Sequence, residues 1–189
     1  MPSLRLFIAF SPPPRLKTEL GHTIDELRSS DADVRWEAPD KLHATITFLG
    51  DSDESLLPAI TDIIGRCGRS TPTCDVTYTG LGAFPTMQRP RVVWVGCEEK
   101  TGTLLSLKKR LEGGLLPLGF RTEERVFHPH ITLGRLKGDR NIRNLISMLE
   151  KCMFEPRTVE LGEVQLMKSV LNPGGSVYSV VYSTQLQPV

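Results

Sequence analysis

The chain has 189 residues, a length that suits one domain or two small lobes. Hydrophobic residues make up 39% and charged residues 24%, the balance of an ordinary globular protein, and 23 basic side chains against 22 acidic ones leave a formal charge of +1. Overall charge therefore gives no evidence for nucleic-acid binding, and any basic site has to be local.

In chain order, the N-terminal stretch MPSLRLFIAFSPPPR does not read as a secretory signal: its apolar run is short, Arg5 interrupts it, and prolines follow at once. SLRLFIAF (3–10) predicts a strand. RLKTELGHTIDELRSS (15–30) carries Leu16, Leu20, Ile24 and Leu27 at helical spacing. DVRWEAP is a short extended piece, and HATITFL then alternates, with His43, Thr45 and Thr47 on one face and Ala44, Ile46 and Phe48 on the other. A second helix is predicted over 52–68, with Pro58 in its first turn. TCDVTYTGLGAF and PRVVWVGC are two strands joined by PTMQ. TGTLLSLKKRLEGGLLPLG predicts a helix ending near Gly113 and Gly114. ERVFHPHITLGRL reads as a strand with an X-Pro break, and GDRNIRNLISMLEKC as a helix. TVELGEVQLMKSVL and SVYSVVYSTQL are two closing strands around the turn signal NPGG.

Helices mixed with adjacent strand pairs favour an α+β fold with mainly antiparallel sheet. No apolar run approaches the length of a membrane span, and no long linker divides the chain. Neither GxGxxG nor GxxxxGK[ST] occurs, so nucleotide-phosphate loops are not signalled; the glycines of TGLGAF look like bulges or turns. Cys67, Cys74, Cys97 and Cys152 form no CxxC pair and do not cluster with histidines, which suggests plain thiols in a reducing, cytoplasmic setting. Each half of the chain holds a helix, a His-apolar-Thr-apolar strand, another helix and a strand pair, a pattern that hints at internal duplication.

The chemistry concentrates in HATI (43–46) and HITL (130–133), two copies of one pattern separated by nearly half the chain. Residues i and i+2 of a strand share a face, so His43 projects with Thr45 and His130 with Thr132. Two imidazoles facing one another can serve as general base and general acid in one turnover. Hydroxyls beside them can donate to oxygens that gain charge. In-line displacement at phosphorus suits that set and needs no metal. The two histidines are interchangeable on these grounds. Threonine's ordinary preference for strands is the plain alternative.

HATITFLG and HPHITLGR resemble the paired HxTx motifs of the two-histidine phosphoesterases, and specifically those of the RNA 2′,3′-cyclic phosphodiesterases, also called 2′-5′ RNA ligases. LRLFIAF, RVVWVG and VQLMKSVLNPGGSVYSVV extend the likeness over nearly the whole chain. The resemblance implies one bilobal α+β domain over 1–189, with two pseudo-symmetric lobes, helices outside, a central cleft and one motif from each lobe. It implies hydrolysis of an RNA 2′,3′-cyclic phosphate end to a 2′-phosphate, with no cofactor. Carried over, His43 is the proton donor to the departing 3′ oxygen, His130 the proton acceptor that activates water, and Thr45 and Thr132 the phosphate-binding residues.

Other residues are less clear-cut. Arg135 and Phe48 are candidate substrate contacts, through ion pairing and base stacking. Strict alternation puts Phe48 with Ala44 and Ile46, where packing would be its use, and puts Arg135 opposite His130 unless Gly134 marks a bulge. His128, before Pro129, reads as a rim residue; His22 reads as a surface residue; Trp94 reads as core; and RPR at 89–91 is either a cleft edge or a solvated loop. Two lone histidines without a carboxylate or cysteine companion argue against a metal site. The expected partner is RNA with a 2′,3′-cyclic phosphate end or a small nucleotide, with no membrane and no obligate protein partner. The alternatives are 2′-5′ ligation by the reverse reaction, a small cyclic or 2′-5′ phosphodiester substrate, and a nucleotide-binding module without turnover.

Overall fold

The computed structural model describes residues 3–123, 125–173 and 175–188. Strand β1 (Ser3–Phe10) buries both faces: Leu6, Ile8 and Phe10 enter the main core, while Phe7 and Ala9 join Met167 in a second, smaller cluster. Helix α1 (Pro14–Arg28) begins at a proline, which suits the first helical position, and buries Leu16, Leu20, Ile24 and Leu27. Strand β2 (Val34–Trp36) and a 3-10 turn, Pro39–Lys41, lead to strand β3 (Ala44–Asp53). Asp53 Oδ1 then accepts from Ser55 N at 2.9 Å in a 3-10 turn ahead of helix α2 (Leu57–Arg69), and Pro58 occupies that helix's first turn.

Strands β4 (Cys74–Thr86) and β5 (Arg89–Glu98) form a hairpin. Gly80, at φ +68, sits where their register shifts, so the glycines of this stretch serve a bulge. Helix α3 (Thr103–Leu115) runs through Gly113 and Gly114 rather than ending at them. A Cβ on Gly114 would lie 2.8 Å from Ile63 Cγ2, so the missing side chain is what lets α2 and α3 pack closely.

Strand β6 (His130–Leu136) starts only at the histidine; Pro129 lacks the N–H that would extend it backwards. Helix α4 (Ile142–Lys151) follows. The stretch TVELGEVQLMKSVL is not one strand. It breaks at Gly162 into β7 (Arg157–Leu161) and β8 (Glu163–Asn172), which sit far apart in the sheet, and β8 then pairs with β9 (Gly175–Gln185).

Among the described residues, nine strands form one sheet in the order β7-β4-β5-β6-β3-β1-β8-β9, with β2 alongside β6. The named strand pairings are antiparallel, and the architecture is α+β. Helices α2 and α3 pack on the β3, β8 and β9 side, and α1 and α4 on the β2, β4 and β6 side. Between the β6 group of five strands, β2 included, and the β3 group of four lies a seam where β3 and β6 share a single pair, Ala44 with Ile131. Both residues are 0% exposed, in the core beneath the helices. The other face of the seam is open. The four cysteines are unpaired, with Cys74 and Cys97 buried. Among the described residues, no helix is long and apolar enough to cross a membrane.

Candidate active site

The two motifs meet at the seam. Since Ala44 pairs with Ile131 and both point into the core, the residues on either side of them point to the open face. Extending the antiparallel register by one step sets His43 across from Thr132, and Thr45 across from His130. The imidazoles thus occupy one diagonal of a rectangle and the hydroxyls the other. Diagonal neighbours of this kind are about 7–8 Å apart, enough to seat a phosphate between them. His130 thus opens β6, and His43 immediately precedes β3, its partner across the seam.

Each ring is held in the same way. His43 Nδ1 lies 2.7 Å from the Lys41 carbonyl oxygen, and His130 Nδ1 lies 2.7 Å from that of His128. A carbonyl oxygen only accepts, so Nδ1 carries the hydrogen in both rings and Nε2 is left as the working nitrogen. Among the described residues neither Thr45 nor Thr132 spends its hydroxyl on a side-chain hydrogen bond.

Both imidazoles have their pKa lowered from the ordinary value. For His43 the main cause is burial; the bond to Lys41 opposes it, and the charges of Lys17, Arg135 and His130 add to the lowering. For His130 burial again dominates, the bond to His128 opposes it, His128 and Arg135 push the same way as burial, and Glu123 pulls back. The two rings and Arg135 therefore share one electrostatic neighbourhood.

Two bulges change which residues reach the open face. Between β1 and β3 the register moves from Ala9–Thr45 to Ile8–Thr47, skipping Ile46. Ile46 and Thr47 both turn inward, and Phe48 emerges beside Thr45 with 62% of its surface exposed. Strict alternation, which assigned Phe48 to the core, fails at this point. Between β5 and β6 the register moves from Trp94–Thr132 to Val93–Gly134, skipping Leu133. Leu133 and Gly134 turn inward, and Arg135 emerges on the face of His130 and Thr132. Phe48 and Arg135 thus stand at the same distance along the chain from their respective histidines. A hollow of about 500 Å³ opens beside Phe48, lined also by Leu118, Phe120 and Arg121.

Aromatic rings wall both histidines. His43 lies against Phe7 (centroids 4.9 Å apart) and edge-on to Tyr178 (5.0 Å); His130 lies edge-on to Phe84 (4.9 Å). These three come from β1, β9 and β4, and only long-range pairing brings them in, so no local pattern announces them. Trp94, read from sequence as core, contacts Phe84 and His128 on the site side, with centroids 5.1 and 5.0 Å apart. Its Nε1 is buried without a hydrogen-bond partner among the described residues. His128 is exposed at the rim and His22 is exposed on α1. Arg89 to Arg91 open β5 rather than forming a loop, and Arg91 Nη1 lies 3.5 Å from Asp139 Oδ1. Among the described residues no group of three or more His, Cys, Asp or Glu side chains is placed to hold a metal ion.

Comparison with known proteins identifies the family. Residues 12–172 match the sequence model of the 2′-5′ RNA ligase superfamily. An RNA 2′,3′-cyclic phosphodiesterase of Methanothermobacter thermautotrophicus is 33% identical over 177 residues, covering 93% of this chain and 95% of that protein. Among solved structures, TT0787 of Thermus thermophilus superposes with a TM-score of 0.82 at 26% identity, over 98% of this chain and 99% of that one. LigT of E. coli, complexed with 3′-AMP, superposes with a TM-score of 0.78 at 25% identity over the same shares. The sequence match and the fold together place this chain in the 2′-5′ RNA ligase superfamily.

Proposed function

We propose that the protein hydrolyses RNA ends bearing a 2′,3′-cyclic phosphate to 2′-phosphate, by paired histidine acid–base catalysis without a metal. His130 Nε2 takes a proton from water as the water oxygen bonds to phosphorus. The bond from phosphorus to the 3′ oxygen breaks, and His43 Nε2–H gives its proton to that oxygen. The products are a 2′-phosphate monoester and a free 3′ hydroxyl, and solvent resets the two protons. Thr45 and Thr132 donate to the non-bridging oxygens, and the Arg135 guanidinium offsets charge that builds on the phosphorane. Phe48 offers an exposed ring to a nucleobase.

The observation that carries this reading is the Ala44–Ile131 pair at the seam, which brings the two His-x-Thr segments side by side. The Nδ1 bonds support it, because they engage one nitrogen of each ring and leave Nε2 for proton transfer. Relatives named RNA 2′,3′-cyclic phosphodiesterase support the substrate. Ligation to a 5′ hydroxyl, making a 2′-5′ bond, is the same displacement through the same groups with the 5′ hydroxyl in place of water, and the superfamily's description favours it as the second reading. A cytoplasmic location belongs to this proposal, since RNA ends are its substrate.

The test is to supply RNA ending in a 2′,3′-cyclic phosphate with a chelator present, and to identify the product by mass and by phosphatase sensitivity. A 2′-phosphate formed at an undiminished rate is expected. A 3′-phosphate product, or activity abolished by the chelator, contradicts the reading.

A further inference from the structure

Resting on the phosphodiesterase reading, we propose that Arg35 and Arg135 form a second anion site that takes the 5′-phosphate of the terminal nucleotide, so that the preferred substrate is a nucleotide carrying both phosphates rather than an isolated nucleoside cyclic phosphate. Arg35 is the middle residue of β2 and pairs directly with Arg135 on β6. Val34 and Trp36 on one strand, and Leu136 on the other, pack against the main core. A Cβ on Gly134 would meet Trp36 and Val34, each at 2.7 Å, which fixes that side of the ribbon as the inner one. Both arginines therefore point the other way, to the face that holds His130 and Thr132, and both are exposed.

Like charges set directly opposite on neighbouring strands repel. No carboxylate lies within ion-pair distance of either guanidinium among the described residues, whereas nearby Arg91 holds Asp139 at 3.5 Å. An arrangement that costs free energy when empty and has no internal counter-ion suits an external anion. Its position selects which anion. The charge of Arg135 acts on both imidazoles, and Arg35 lies across from it on β2, at the end of β6 away from His130. Arg35 thus sits one step out from the reacting phosphorus. An RNA 3′ end continues from the reacting ribose through its 5′-phosphate, and that group is the next anion along the chain.

The experiment measures kcat/KM for adenosine 2′,3′-cyclic phosphate with and without a 5′-phosphate, in wild type, Arg35→Ala and Arg35→Lys. The 5′-phosphate is expected to raise wild-type kcat/KM by about tenfold, mostly through KM. Arg35→Ala should reduce that gain to less than about twofold, and Arg35→Lys should keep part of it, with thermal melts of all three proteins matching because the side chain is exposed. An equal gain in wild type and Arg35→Ala, or no gain in wild type, overturns the second site while leaving the phosphodiesterase reading intact. Wild-type turnover of neither compound overturns that reading, and this one with it.

Discussion

His43 and His130 hold protons less tightly than free histidine, chiefly because burial penalises the charged ring. One ring must be neutral and the other protonated in the free enzyme, so kcat/KM should follow a bell centred below pH 6.5, histidine's usual value. Arg135 lowers both pKa values, so Arg135→Gln should move both limbs of the bell to higher pH while reducing kcat/KM by about 10- to 100-fold. Unmoved limbs would place that guanidinium too far from the rings to act on them. The same shifts bear on stability. A histidine whose folded pKa lies below its unfolded value lets the unfolded chain bind more protons, so stability is lost as pH falls through about 6.5 towards the folded value. Denaturant midpoints of wild type should drop across that window, and those of a His43→Gln, His130→Gln double variant should drop less. Thr45→Val and Thr132→Val keep the shape and remove the donor, and each is expected to lower kcat by about 10²-fold in single-turnover measurements.

The strand elements show what could be read in the sequence and what could not. That His43 shares a face with Thr45, and His130 with Thr132, was legible because each pair lies within one short alternation. Phe48 was not, because the β3 bulge at Ile46 shifts the face by one residue and nothing in TITF marks it. Gly134 did mark the equivalent shift before Arg135. The break at Gly162 was missed because β7 and β8 are each apolar enough to continue the other, and only their different partners separate them. A buried ion pair between Lys108 and Glu112 of α3 supports the first bulge from behind: Thr47 Oγ1 donates to Glu112 Oε1 at 3.5 Å, as does Glu123 N, in the segment leading to β6, at 3.4 Å. Glu112→Ala leaves the Lys108 ammonium buried and alone, and chemical denaturation should register a loss of about 3–5 kcal/mol. A change under about 1 kcal/mol would mean that Lys108 escapes to solvent. Gly82 limits the other side. A Cβ there would lie 2.3 Å from the Trp94 ring, so Gly82→Ala should displace the indole, shift its fluorescence and lower activity by disturbing the wall beside His130.

Across the whole molecule, the sheet is thinnest where the chemistry is. One pair joins β3 to β6, with four strands on the β3 side and, counting β2, five on the β6 side. The chain crosses this seam more than once: β1 and β3 stand on one side, β2 between them pairs with β6 on the other, β4 to β7 follow on that other side, and β8 and β9 return to the first. One continuous core draws residues from both sides, including Ala44 and Ile131 at the seam itself. The halves therefore depend on each other for burial, and a single unfolding transition, coincident by fluorescence and circular dichroism, is expected. Antiparallel α+β architecture was legible from the order of elements; the position of the seam was not, because it depends on pairings between strands remote in sequence. The central claim is that the seam puts an acid and a base on opposite sides of one phosphorus. It is tested most directly with a cyclic substrate whose 3′ oxygen is replaced by sulfur, a leaving group that departs without a proton. His43→Ala should recover most of its lost rate on that substrate while His130→Ala stays impaired; equal deficits in the two variants would contradict the assignment.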